Sequence, residues 1–112
     1  MDNQQMIMEF QKNQQKLQQI TMQKQSTKTE KKEVENALKE LKSCEDEDVY
    51  KSVGSILVSK DYDELLEELK ERNEDLEVRM KSLNKREKKL RKKVEQAQKQ
   101  FQKQMQNQNM AQ

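Results

Sequence analysis

Two long stripes of 3-4-3-4 spacing flank one short strand-like segment, and such sustained spacing requires long helices seamed along a narrow face. The first stripe passes through Met6, Phe10, Asn13, Leu17, Ile20, Lys24, Thr27, Lys31, Val34, Leu38 and Leu41. The second passes through Tyr62, Leu66, Leu69, Asn73, Leu76, Met80, Leu83, Glu87, Leu90, Val94, Ala97 and Phe101. Between them lies Val49-Tyr50-Lys51-Ser52-Val53-Gly54-Ser55-Ile56-Leu57-Val58. Its β-branched and aromatic residues flank Gly54-Ser55, which suits a two-residue type II′ turn and hence a β-hairpin.

Composition agrees with a seam rather than a core. Hydrophobic residues are 30% of the 112 and charged residues 39%, whereas globular domains are closer to half apolar. That is enough apolar side chain for two positions per heptad. Pro is absent and Gly occurs once, so neither helix is interrupted. A single Cys and no His leave no usual zinc cluster, no internal disulfide and no histidine base. Cys44 reads as a plain thiol. No enzyme, metal or cofactor is expected. No apolar run approaches the length of a membrane span, and no secretory h-region is visible, so a cytoplasmic location is expected.

The expected organisation is a single unit over 1–112: helix 1 over 3–43, the hairpin over 49–58, helix 2 over 62–104 and a frayed tail over 105–112. The first helix stops at the acidic run Glu45-Asp46-Glu47-Asp48, because carboxylates oppose the dipole at a helix C-terminus. Asp61 caps the second, with Glu64 three residues on completing a capping box.

A tight hairpin turn reverses the chain and sets the two helices antiparallel. One register then pairs Phe10 with Phe101, Asn13 with Ala97, Leu17 with Val94 and Ile20 with Leu90. It continues through Val34 with Leu76, Leu38 with Asn73 and Leu41 with Leu69. The polar exception Lys24 falls opposite the polar exception Glu87. A charge pair inside a seam penalises slipped alignments, since slippage strands each charge against apolar neighbours. Lys24 and Glu87 are therefore expected to lock the register.

Composition is sorted along this antiparallel pair. Five of the seven Met residues fall in the two terminal stretches, among Gln and Asn. Met6, Ile7, Met8 and Phe10 from one helix and Phe101, Met105 and Met110 from the other form a candidate apolar binding surface. Met suits a surface that must accept many shapes. Helix 2 is electrically split: Asp63–Glu77 carries eight acids and two bases, and Arg79–Glu95 nine bases and two acids. The run Lys85–Lys93 suggests nucleic acid, but a basic recognition helix lies ahead of its zipper rather than within the seam. The net charge of only +2 favours a solvated or partner-facing side instead.

A lone hairpin is marginal in water and presents two unpaired edges. Val49, Val53, Ile56 and Val58 offer apolar surface with no evident core to receive it. Together with Tyr50 and Gly54 they are the expected oligomerisation residues.

The hairpin sequence, set between two heptad arms of about forty residues, resembles prefoldin, in particular the β-type subunits of archaeal prefoldin. The likeness covers essentially the whole chain, and the single hairpin is its specific part. It implies a mainly α fold: a long antiparallel coiled-coil hairpin whose β-hairpin joins an intersubunit β-barrel. It implies a hexamer of two α-type and four β-type subunits, acting as an ATP-independent holdase chaperone. Such an assembly captures non-native polypeptides at its coiled-coil tips and delivers them to a group II chaperonin. The competing readings are a structural coiled-coil scaffold, with no affinity for unfolded chains, and a nucleic-acid-binding coiled coil with steep salt dependence.

Overall fold

The computed structural model describes the backbone of residues 3–110 and side chains over 3–107. Helix α1 spans Asn3–Lys42, strand β1 Val49–Val53, strand β2 Ile56–Lys60 and helix α2 Tyr62–Met110. The chain divides into two compact units, one formed by residues 25–81 and the other by the described parts of 1–24 and 82–112.

In the unit of residues 25–81, α1 closes with tightening bonds at its C-terminus. The amides of Ser43 and Cys44 donate to the carbonyls of Glu40 and Leu41 at 3.1 and 3.0 Å, and the Ser43 hydroxyl donates to Glu40 O at 2.6 Å. These i→i−3 bonds satisfy carbonyls that a helix end leaves orphaned. The start of α2 is capped by Asp61, whose Oδ2 accepts from Glu64 N at 3.2 Å, the first half of the expected capping box.

Between the helices, β1 and β2 pair antiparallel with Val49 opposite Lys60, Lys51 opposite Val58 and Val53 opposite Ile56. Gly54 takes φ +59°, and no described non-glycine residue has positive φ. Positive φ at the first turn position alone fits type II′ and not type I′. The second strand runs two residues past Val58 because Ser59 and Lys60 still have partners on β1.

The core of this unit joins Leu41, Val49 and Leu65, with Cys44, Tyr62, Leu66 and Leu69 packed against them. Val49 is thus received by its own chain, contrary to the expectation that the hairpin finds no core there. Leu76 is 1% exposed, the most completely buried large side chain described. Glu30 accepts an ion pair from Arg72, so later residues of α1 (Leu41) meet earlier residues of α2 (Leu65, Leu69). Asn73 lies in the seam with its Oδ1 buried and without a hydrogen-bond partner among the described residues.

In the other unit, Ile20 and Leu83 are buried. Phe10 and Phe101 meet edge-to-face, with ring centroids 5.4 Å apart and planes at 79°. Such aromatic pairs contribute about 0.5–1.5 kcal/mol beyond their area. Helix α2 continues to Met110 instead of stopping near residue 104. The Gln-, Lys- and Met-containing stretch after Phe101 has no Pro or Gly, and those three residue types are good helix formers. Residues 111–112 of the expected tail lie outside the described residues.

Candidate interaction surfaces

The hairpin presents apolar side chains on both faces. Alternation places Val49, Lys51, Val53, Ile56, Val58 and Lys60 on one face and Tyr50, Ser52, Leu57 and Ser59 on the other. On the first face Val49 is buried and Lys51 pairs with Glu68 of α2, so that end is seated on the helices. The Lys51 ammonium, by donating a hydrogen bond, holds the Glu68 carboxyl below its ordinary value. Val53 and Ile56, beside the turn, remain exposed, as does Tyr50 on the opposite face. Leu57 is 72% exposed, the highest of the hairpin's apolar residues. It was absent from the expected oligomerisation set, although its place opposite Ser52 puts it beside Tyr50 on the face turned away from Val49. An added Cβ at Gly54 would meet nothing within 4 Å; the glycine serves backbone conformation and not intrachain space.

The second surface lies in the unit of residues 1–24 and 82–112. Ile7, Met8 and Met105 are 44, 69 and 68% exposed. Met6, Phe10 and Phe101 are half-buried, the two rings turned onto each other in the seam. The expected surface therefore separates into a seam layer and three outward side chains. The Met110 side chain lies outside the described residues.

In the same unit, Lys24 Nζ donates to Glu87 Oε1 at 3.2 Å, and Arg91 Nε approaches that oxygen to 3.6 Å. The Lys24 hydrogen bond, then the charges of Lys24 and Arg91, hold the Glu87 carboxyl below its ordinary value against an opposing effect of burial. The two residues expected to lock the register are thus in contact. Of the run Lys85–Lys93, only Glu87 and Leu90 turn inward; its seven basic side chains are exposed.

Among the described residues, no three His, Cys, Asp or Glu side chains converge as metal ligands, and no helix is long and apolar enough to cross a membrane.

Comparison with known proteins matches residues 4–108 to the family described as Prefoldin subunit. Prefoldin subunit beta of Pyrobaculum neutrophilum is 41% identical over 85 residues, 75% of this chain and 68% of the relative. That of Pyrococcus abyssi is 39% identical over 83 residues, 73% of this chain and 71% of the relative. The crystal structure of the prefoldin beta subunit from Thermococcus strain KS-1 superposes with a TM-score of 0.78 at 40% identity, covering 89% of each chain.

Proposed function

We propose, from the premise that this chain belongs to the prefoldin family, that it is a β-type subunit acting as an ATP-independent holdase. In this reading the hairpin joins those of other subunits in a β-barrel, within a hexamer of two α-type and four β-type chains. The terminal apolar surface captures non-native polypeptides, which pass to a group II chaperonin in the cytoplasm. The observation that carries the capture step is the group of outward side chains Ile7, Met8 and Met105 beside the Phe10–Phe101 layer. Ordinary seam packing gives those three no reason to be apolar. Several such weak sites on one assembly would hold a client by avidity rather than by single-site affinity. Assembly is supported by Tyr50, Val53, Ile56 and Leu57, which leave exposed apolar side chains on both faces of a two-stranded sheet that the helices cover only at its Val49 end.

The test is light scattering of a denatured client diluted, without ATP, into full-length chain assembled with an α-type partner. The triple variant Ile7→Ser/Met8→Ser/Met105→Ser is compared with wild type after light scattering has confirmed equal hexamer mass. Capture at this surface predicts that wild type suppresses aggregation and the variant does not. If the variant protects equally well, the capture surface lies elsewhere. If neither hexamer protects, the chain is a coiled-coil scaffold.

A further inference from the structure

In the unit of residues 1–24 and 82–112, a groove runs between α1 and α2 with Ile20 and Leu90 at its base and Lys16, Arg86, Lys89 and Lys93 along its walls. None of these four cations forms an ion pair among the described residues, whereas Arg91, on α2 with three of them, reaches Glu87. Arg86, Lys89 and Lys93 are spaced three and four residues apart, so they line one face of α2. Ile20 itself is almost closed over, so Leu90 is the groove's more accessible aliphatic residue, and lysine stems can add apolar surface while their ammonium groups reach water. The result is a trough of mixed polarity, with Gln19 and Gln23 also in its lining, and with a positive rim unpaired among the described residues.

Lys93 also lines a second groove, shared with Met6, Phe10, Ala97, the carboxylate of Glu9 and three amide side chains. The cationic trough thus leads into the apolar surface assigned above to client capture. A ligand filling both would need anionic groups against the four cations of the first groove and apolar or neutral groups where the second presents Met6, Phe10 and Glu9.

We propose that these two grooves, which share Lys93, seat an acidic amphipathic segment of a non-native polypeptide, giving the capture surface a preference for acidic clients. The inference rests on the holdase reading and adds a client class to it. Charge complementarity selects the occupant: a basic segment would meet four like charges and the single carboxylate of Glu9, and a neutral apolar one would leave the cations unused. Because the rim is solvent-facing, the preference is salt-sensitive, while contact with Met6 and Phe10 is not.

The experiment measures fluorescence anisotropy of three labelled peptides binding to the full-length chain assembled with an α-type partner. The peptides share one apolar pattern and carry acidic, neutral or basic residues at the remaining positions. The acidic peptide is expected to bind tightest and to lose its advantage at high salt. In Lys16→Gln/Arg86→Gln/Lys89→Gln its affinity should fall about tenfold, three solvent-facing ion pairs each contributing modestly, with the neutral peptide unaffected. Lys16→Glu/Arg86→Glu/Lys89→Glu should reverse the order and favour the basic peptide, a result that mere loss of structure cannot produce. If wild type binds all three peptides equally, or the glutamine variant retains the acidic preference, the inference is overturned while client capture stands. If no peptide binds and denatured clients still aggregate, both readings fall.

Discussion

Replacing Lys24 and Glu87 by Leu, singly and together, tests whether the seam charges set the alignment of the helices. At 3.2 Å and an effective dielectric of about 20, the gross Coulomb attraction is about 5 kcal/mol. Desolvation and side-chain ordering consume most of it. With the Lys24 and Glu87 side chains 26% and 15% exposed, the net coupling should be about 1 kcal/mol, the upper end for surface pairs. The single losses should differ. Lys24→Leu leaves Glu87 with Arg91 at 3.6 Å, whereas Glu87→Leu leaves Lys24 to swing its ammonium into water. The double variant builds an ordinary Leu–Leu layer and should match or exceed wild-type stability. Urea unfolding followed by far-UV circular dichroism gives the cycle. Single costs that simply add to the cost of the double variant would refute the coupling.

Acid titration supplies an independent readout. The folded Glu87 carboxyl lies below its ordinary value of 4.5, so its contribution is complete above that value and is lost as pH falls through the lower, folded one. Wild type should lose stability over that acid range more steeply than Glu87→Gln, although Glu68, shifted the same way by Lys51, leaves the variant some residual slope. Register itself is read by disulfide trapping between Asn13→Cys and Ala97→Cys in a Cys44→Ser background. A Leu–Leu double variant that cross-links as selectively as wild type would show that the pair stabilises the seam without choosing its alignment.

Three further outcomes follow from the packing. Leu76→Ala empties the most buried site described and should cost about 2–5 kcal/mol in urea unfolding; a loss below about 1 kcal/mol would mean the seam closes over the gap. Asn73→Leu removes a buried carbonyl without a hydrogen-bond partner among the described residues and should raise stability by about 1–3 kcal/mol, so an unchanged unfolding midpoint would indicate that Oδ1 is satisfied in solution. Gly54→Val forces a β-branched residue into φ +59° with no steric contact to relieve. Strain of about 1–3 kcal/mol should fall on the turn, lowering hexamer yield in size-exclusion light scattering while helical ellipticity is kept.

The stripes were the legible part of this chain because seam burial repeats locally. Every residue of both stripes is buried or half-buried, including the polar members Asn13, Lys24, Thr27, Lys31, Asn73 and Glu87. What escaped the pattern belongs to places where a third element arrives. Leu65 sits one position off the second stripe yet is buried, because the first turns of α2 face the hairpin as well as α1. A helix covered on two sides buries a wider face than a two-per-heptad seam. The burial of Val49 is not legible in its own alternation for the same reason: it depends on Leu41 and Leu65, which are distant from it in sequence or off the stripe. The hairpin strands are apolar on both faces, so period-two alternation could locate them without saying which face turns inward.

Exposed apolar residues also need sorting before they are assigned a role. Met22 and Val78 are as exposed as Met8 and Met105, yet each stands alone among charged and amide side chains, and isolated exposed hydrophobes are ordinary. The hairpin set differs because Val53 and Ile56 are strand partners on one face while Tyr50 and Leu57 are diagonal neighbours on the other, on a sheet that has two strands among the described residues. Ile7, Met8 and Met105 differ because they flank a seam layer of two aromatic rings. Contiguity, rather than exposure, separates a surface that requires a partner from one that only meets water. By that criterion Met22→Gln and Val78→Gln should leave assembly, client capture and unfolding midpoints at wild-type values. A loss of holdase activity in either variant would show that the capture surface reaches beyond the residues assigned to it.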